Sequence, residues 1–77
     1  MVFDRLIEVA KNVLEEADFT NASKNSTLEE LGVNSISMLM LMVSIEDEFG
    51  IMFPVERVGE LKTVGDVADV IEECLNV

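Results

Sequence analysis

Apolar residues recur at intervals of three and four in three separate stretches of this chain, and the polar segments between them divide it into helices and loops. Phe3, Leu6, Ile7, Ala10, Val13, Leu14 and Ala17 keep that spacing, which predicts an amphipathic helix from about Val2 to Glu16 with one face to bury. The segment from Asp18 to Asn34 has no sustained period and is rich in Asn, Ser and Thr. It reads as a loop long enough to cross from one end of an antiparallel neighbour to the other. Inside it, Ser26 and Glu29 stand at capping-box spacing and Gly32 at a C-cap position, so a single helical turn ending at Leu31 is expected. Leu28 and Leu31 would pin the loop to the core.

The next stretch, Ser35 to Phe49, departs from the one-faced pattern. At about 100° per residue, Met38, Leu41, Met42, Ile45 and Phe49 gather on one side, as a core face should. Ile36, Leu39, Met40 and Val43 gather on roughly the opposite side. A helix that only packed on a core would need one stripe, so the second predicts a partner. Asn34 or Ser35 supplies the N-cap and Gly50 the left-handed stop. Glu46, Asp47 and Glu48 fall near the C-terminus, where the helix dipole is already negative. The sequence offers them no local cation, and an external one is expected.

After Gly50 come Ile51, Met52 and Phe53, then Pro54 at a first helical position and a short helical turn to about Gly59. Thr63 and Asp66 repeat the capping-box spacing ahead of a last helix whose buried face is Val64, Val67, Ala68, Ile71 and Leu75. The fold class is therefore all-α: a mostly antiparallel four-helix bundle with three main helices, one short third helix and a long loop between the first two. All 77 residues are expected to form one domain.

Composition narrows what such a bundle does. Five Lys/Arg against sixteen Asp/Glu give a formal charge of −11, which repels phosphate backbones and anionic membranes and favours basic protein surfaces. The longest apolar run, Ile36 to Ile45 with its serines, is too short to span a bilayer. The opening residues lack the basic and apolar regions of a signal peptide, so a cytoplasmic location is expected. With no His and a single Cys, the side chains present cannot build a zinc site, a Ser-His-Asp triad or a Cys-His pair. Cys74 falls on the flank of the last helix's apolar face, where a half-buried structural thiol is expected. Adjacent pairs such as Glu15-Glu16, Glu29-Glu30 and Glu72-Glu73 point apart on a helix and make no acid/base dyad.

The remaining candidate chemistry is the Ser35 hydroxyl, placed where a helix N-terminus favours anions. Leu31-Gly32-Val33-Asn34-Ser35-Ile36, the run Glu46-Asp47-Glu48-Phe49-Gly50-Ile51 with Pro54 after it, and Thr63-Val64-Gly65-Asp66-Val67 together resemble the acyl carrier protein family, including peptidyl and aminoacyl carriers. The resemblance covers nearly the whole chain in length, order and loop pattern. It implies that a phosphopantetheinyl transferase attaches phosphopantetheine from coenzyme A to Ser35, flanked by Asn34. It further implies a non-catalytic monomer that carries acyl or aminoacyl groups as thioesters to loading, condensing or acyl-transfer enzymes with basic patches. Ile36, Leu39, Met40, Val43, Glu46, Asp47 and Glu48 are then the expected recognition surface.

Two departures from the family pattern bear on pathway. Asn34 stands where the family usually has Asp, keeping the cap and losing a charge, so modification is expected to need a particular transferase. Ser37 and Met40 stand where fatty-acid carriers commonly have acids, which points toward a specialised pathway. The cargo stays open among fatty acyl, polyketide, amino acid and other acids. So does the alternative of a carrier-like interaction module or helical adaptor that bears no cargo.

Overall fold

The computed structural model describes residues 1–76. Three α-helices, α1 (Val2–Val13), α2 (Ser35–Phe49) and α3 (Val64–Leu75), are joined by a long loop and by a 3₁₀ helix at Val55–Glu60. Among the described residues there is no strand, only an isolated bridge between Thr27 and Thr63. The α1 helix packs against both α2 and α3. Met38, Leu41, Met42, Ile45 and Phe49 are the residues that α2 buries, the stripe expected from their spacing. Ile45 and Ile71 are completely enclosed at the centre.

The first helix ends three residues before the expected Glu16. Leu14 leaves helical geometry at φ −110°, ψ 73° while its N–H still bonds Ala10, and its side chain stays buried. A longer helix would place Glu15 and Glu16 in its last turn, against the negative end of the dipole. The helix keeps Lys11 there instead. The last helix also differs in detail: Leu75 is largely exposed and Val70 is buried. Its apolar arc is rotated toward Val67, Val70 and Cys74, and the half-buried Cys74 thiol lies 3.8 Å from the Met52 carbonyl.

Polar loops of this length leave many backbone groups to satisfy, and here the N-terminus of α3 accepts most of the task. The Val64 and Gly65 N–H groups donate to Ser26 and Lys24 carbonyls at 3.0 and 2.9 Å. The Asp66 N–H goes to the Thr63 side chain at 3.1 Å, while the Asp66 carboxylate accepts from the Lys62 and Thr63 N–H groups at 2.9 and 3.0 Å. The helix donors left free by geometry are thus consumed by the loop that must be tied down. Gly65 permits this close approach, since a Cβ at that position would lie 2.8 Å from the Lys24 carbonyl oxygen. Phe19 and Val33 plug the two ends of the loop into the core, alongside Leu28, and Leu31 is only partly covered.

Two stability tests follow from this packing. Gly65→Ala should lower the thermal midpoint by forcing the Lys24 carbonyl away, and Ile45→Ala should cost about 2–5 kcal/mol in chemical denaturation. Asp66 supplies a pH test, because the Lys62 N–H and then the Thr63 N–H hold its carboxyl below the ordinary value of 3.8. A depressed folded pKa gives stability that is present above 3.8 and is lost as pH falls through the lower folded value. Asp66→Asn should therefore be less stable than the parent at neutral pH, with the gap closing in acid.

Candidate functional site

Ser35 is delivered by the four residues before it. Thr27 opens a single turn in which the Leu31 N–H reaches the Thr27 carbonyl at 3.3 Å. Gly32 then closes it at φ +89°, a left-handed value that L side chains avoid. The Gly32 N–H donates to Glu29 at 3.0 Å and the Val33 N–H to Leu28 at 2.9 Å, the paired bonds of a Schellman stop. The capping box of this turn is Thr27 with Glu30, one residue later than the expected Ser26 with Glu29. Ser26 is instead occupied within the preceding turn, where its hydroxyl accepts the Ser23 N–H.

Buried Val33 anchors the chain, and Asn34 follows in extended geometry as the cap of α2. Its side-chain oxygen accepts the Ser37 N–H at 2.9 Å and the Ser37 hydroxyl at 3.2 Å. Capping thus falls to Asn34, which leaves Ser35 as the first helical residue with its hydroxyl exposed and engaged by no protein group among the described residues. The Ser35 and Ile36 N–H groups also donate to no protein group there. Ser37, a competing hydroxyl, is half-buried and committed to Asn34, and Ser44 is half-buried mid-helix.

Two surfaces flank the hydroxyl. On one side lies a groove of about 480 Å³ between the start of α2 and the 3₁₀ helix, lined by Leu28, Val33, Met38, Val58 and Leu61 with Glu29 and Lys62. On the other side α2 presents its second stripe: Ile36, Leu39, Met40 and Val43 are 72, 55, 50 and 60% exposed. From Ser35 to Ile45 the helix carries no charge.

The acids at the end of α2 differ from their expected role. Glu46 accepts the Phe53 N–H at 2.9 Å and thereby holds the segment that seats buried Phe53. Glu48 is paired with Arg5 at 2.9 Å; the same guanidinium donates to the Glu48 carbonyl at 3.0 Å and lies 4.5 Å over the Phe49 ring. One cation from α1 so neutralises a carboxylate, caps a helix carbonyl and covers an aromatic face. These two glutamates have partners within the fold that periodicity alone did not reveal. Asp47 alone of the three has no partner among the described residues. Pro54 likewise sits just before the 3₁₀ helix rather than in its first position, its fixed φ setting the entry to the turn.

Residues 4–71 match the family model described as a phosphopantetheine attachment site. An acyl carrier protein of Porphyromonas gingivalis is 37% identical over 75 residues, covering 97% of this chain and 86% of that protein. Among solved structures, an acyl carrier protein from Thermotoga maritima superimposes with a TM-score of 0.84 at 26% identity, covering 95% of this chain and 85% of that one. A holo acyl carrier protein from Geobacter metallireducens gives 0.82 at 26% identity, with 97% and 86% covered. No helix among the described residues is long and apolar enough to cross a membrane.

Replacing the cap isolates its contribution: Asn34→Ala should destabilise the fold by about 1 kcal/mol in denaturant titration. Asn34→Asp, which keeps the acceptor and adds charge at the positive end of the dipole, should be at least as stable as the parent.

Proposed function

The chain belongs to the acyl carrier protein family, a family of non-catalytic carriers with a covalent phosphopantetheine arm, and from that membership we propose that Ser35 is the residue that bears the arm. The observation that carries this reading is the division of labour at the start of α2, where Asn34 caps and the Ser35 hydroxyl stays free and exposed. The residues present fit such a group. A phosphodiester on Ser35 would sit beside the open Ser35 and Ile36 N–H donors, where a helix start favours negative charge. The adjacent groove offers apolar walls and mixed polar groups at its edge. When bound, the arm supplies a terminal thiol that holds an acyl or aminoacyl group as a thioester.

In the loading step the Ser35 oxygen forms a bond to the phosphorus that bears the pantetheine part of coenzyme A. The bond from that phosphorus to the bridging oxygen breaks, adenosine bisphosphate leaves, and the hydroxyl proton passes to a base on the transferase. Asn34 holds Ser35 at the helix start while this happens, and the exposed Ile36, Leu39, Met40 and Val43 stripe gives the visiting enzyme a surface to cover. Residues 1–77 act as one carrier unit in this reading. Successive enzymes use the same stripe, and the acids around it speed encounter with basic partners more than they add affinity, which supports exchange among partners. The uncharged run from Ser35 to Ile45 favours a specialised acyl or aminoacyl pathway over housekeeping fatty-acid synthesis.

Incubation with coenzyme A and a phosphopantetheinyl transferase of broad specificity tests the assignment. Intact mass should rise by one phosphopantetheinyl group in the parent and stay unchanged in Ser35→Ala, with both proteins equally folded. A parent chain that stays bare under transferases that modify other carriers would favour the cargo-free adaptor.

A further inference from the structure

Asn34 lines both hollows at the start of α2: the groove against the 3₁₀ helix and, on the other side, a cleft of about 340 Å³ toward α1 that Glu15, Glu16, Ile36 and Met40 also line. The residue is exposed, and its amide has a fixed sense. Two donors converge on Oδ1, the Ser37 N–H at 2.9 Å and the Ser37 hydroxyl at 3.2 Å, and only the oxygen of an amide side chain can receive a backbone N–H. The Nδ2 group is therefore turned away from the Ser37 N–H. Its two donors bond no protein group among the described residues. Among the residues that cap helices well, this combination belongs to asparagine. An ionised Asp has no donor, and Ser or Thr must accept and donate through one oxygen.

We infer that the Asn34 Nδ2 group donates to a phosphodiester oxygen once Ser35 is loaded, so that one side chain caps α2 with its oxygen and holds the arm's anion with its nitrogen. The inference rests on Ser35 being the attachment residue and adds the side chain that positions the first group of the arm. Charge explains why neutral donors matter here. The chain already carries a formal charge of −11, Glu15, Glu16 and Glu29 line the two hollows, and Lys62 is the one cation among the lining residues. A carboxylate at position 34 would set a further negative charge against the phosphodiester, whereas the amide offers two donors and no charge. Hydrogen bonds to an ionised acceptor are also the stronger class. Ser37 acts through Asn34 as a positioning residue, because its N–H and hydroxyl together keep the amide from turning over.

Heteronuclear NMR of the bare and the phosphopantetheinylated chain reads the contact directly. On loading, the Asn34 side-chain NH₂ signals should move downfield and exchange more slowly with solvent, while those of Asn12, Asn21, Asn25 and Asn76, which line neither hollow, should stay in place. Thermal unfolding supplies the second measurement. Asn34→Ser keeps an acceptor for the cap and loses the amide donors, and Asn34→Asp keeps the acceptor and adds charge. Loading should raise the midpoint of the parent by about 4 °C and that of Asn34→Ser by less than half as much. It should leave Asn34→Asp unchanged or lower it, although that variant's bare chain is at least as stable as the parent. The parent spectra decide by themselves where a variant loads slowly. If Ser35 carries the adduct but the Asn34 signals do not move, or if all three chains respond to loading alike, the amide does not hold the phosphate and the attachment assignment stands. If the parent gains no adduct on Ser35, the attachment assignment fails and this inference with it.

Discussion

The bond from the Ser37 N–H to the Asn34 side chain, 2.9 Å long, is the interaction on which the site depends. A helix start needs an acceptor for its unpaired donors, and a serine is among the residues that most readily provides one. Had Ser35 filled that role, its hydroxyl would have been turned back onto the backbone and taken out of solvent reach. Asn34 takes the capping role and, by accepting the Ser37 hydroxyl as well, occupies the nearest rival nucleophile. The only hydroxyl left open at the helix mouth is the one preceded by an extended cap and followed by an exposed apolar stripe.

That arrangement has to be held by a loop that is mostly polar, and the fold does so by exchanging unsatisfied groups between its two irregular regions. The N–H donors at the start of α3 take the carbonyls of Lys24 and Ser26, and the Lys62 carbonyl takes the Leu28 N–H. Gly65 gives the room, and Gly32 turns the chain so that Val33 is buried and Asn34 emerges at the helix start. The C-terminal end of α2 is secured separately, by Arg5 across from α1 and by Glu46 over the Phe53 backbone. With both ends fixed, the middle of α2 is free to present apolar side chains to solvent.

Much of this was legible in the sequence because it depends on local chemistry. The 3.6-residue period identified the buried stripe of α2 residue for residue, and Gly32, Gly50 and the Thr63-Asp66 box marked real termini. The resemblance carried by Leu31 to Ile36 pointed to the correct family. What was not legible depends on long-range pairing. Arg5 and Glu48 are 43 positions apart, and no periodicity links them, so Glu46 and Glu48 read as unexplained charge when each had a partner waiting in the fold. Phe19 and Phe53 read as loop residues because burial in a loop is decided by what covers it. Glu15 and Glu16 were visible only as an adjacent acidic pair, and their place beside Ile36 and Met40 emerged once α1 ended early.

Electrostatically the molecule is an acid-rich body whose docking helix is itself neutral for eleven residues, Ser35 to Ile45. In the proposed reading, partners combine apolar contact on α2 with charge from its surroundings, a combination that lets encounter be fast and release easy. The measurement that bears most directly on the account is fragment-level mass spectrometry of the protein taken from its native host. A phosphopantetheinyl group, bare or acylated, is expected on Ser35 and on no other residue. An adduct mapped to Ser37 or Ser44, or a population of chains with Ser35 uniformly unmodified, would contradict it.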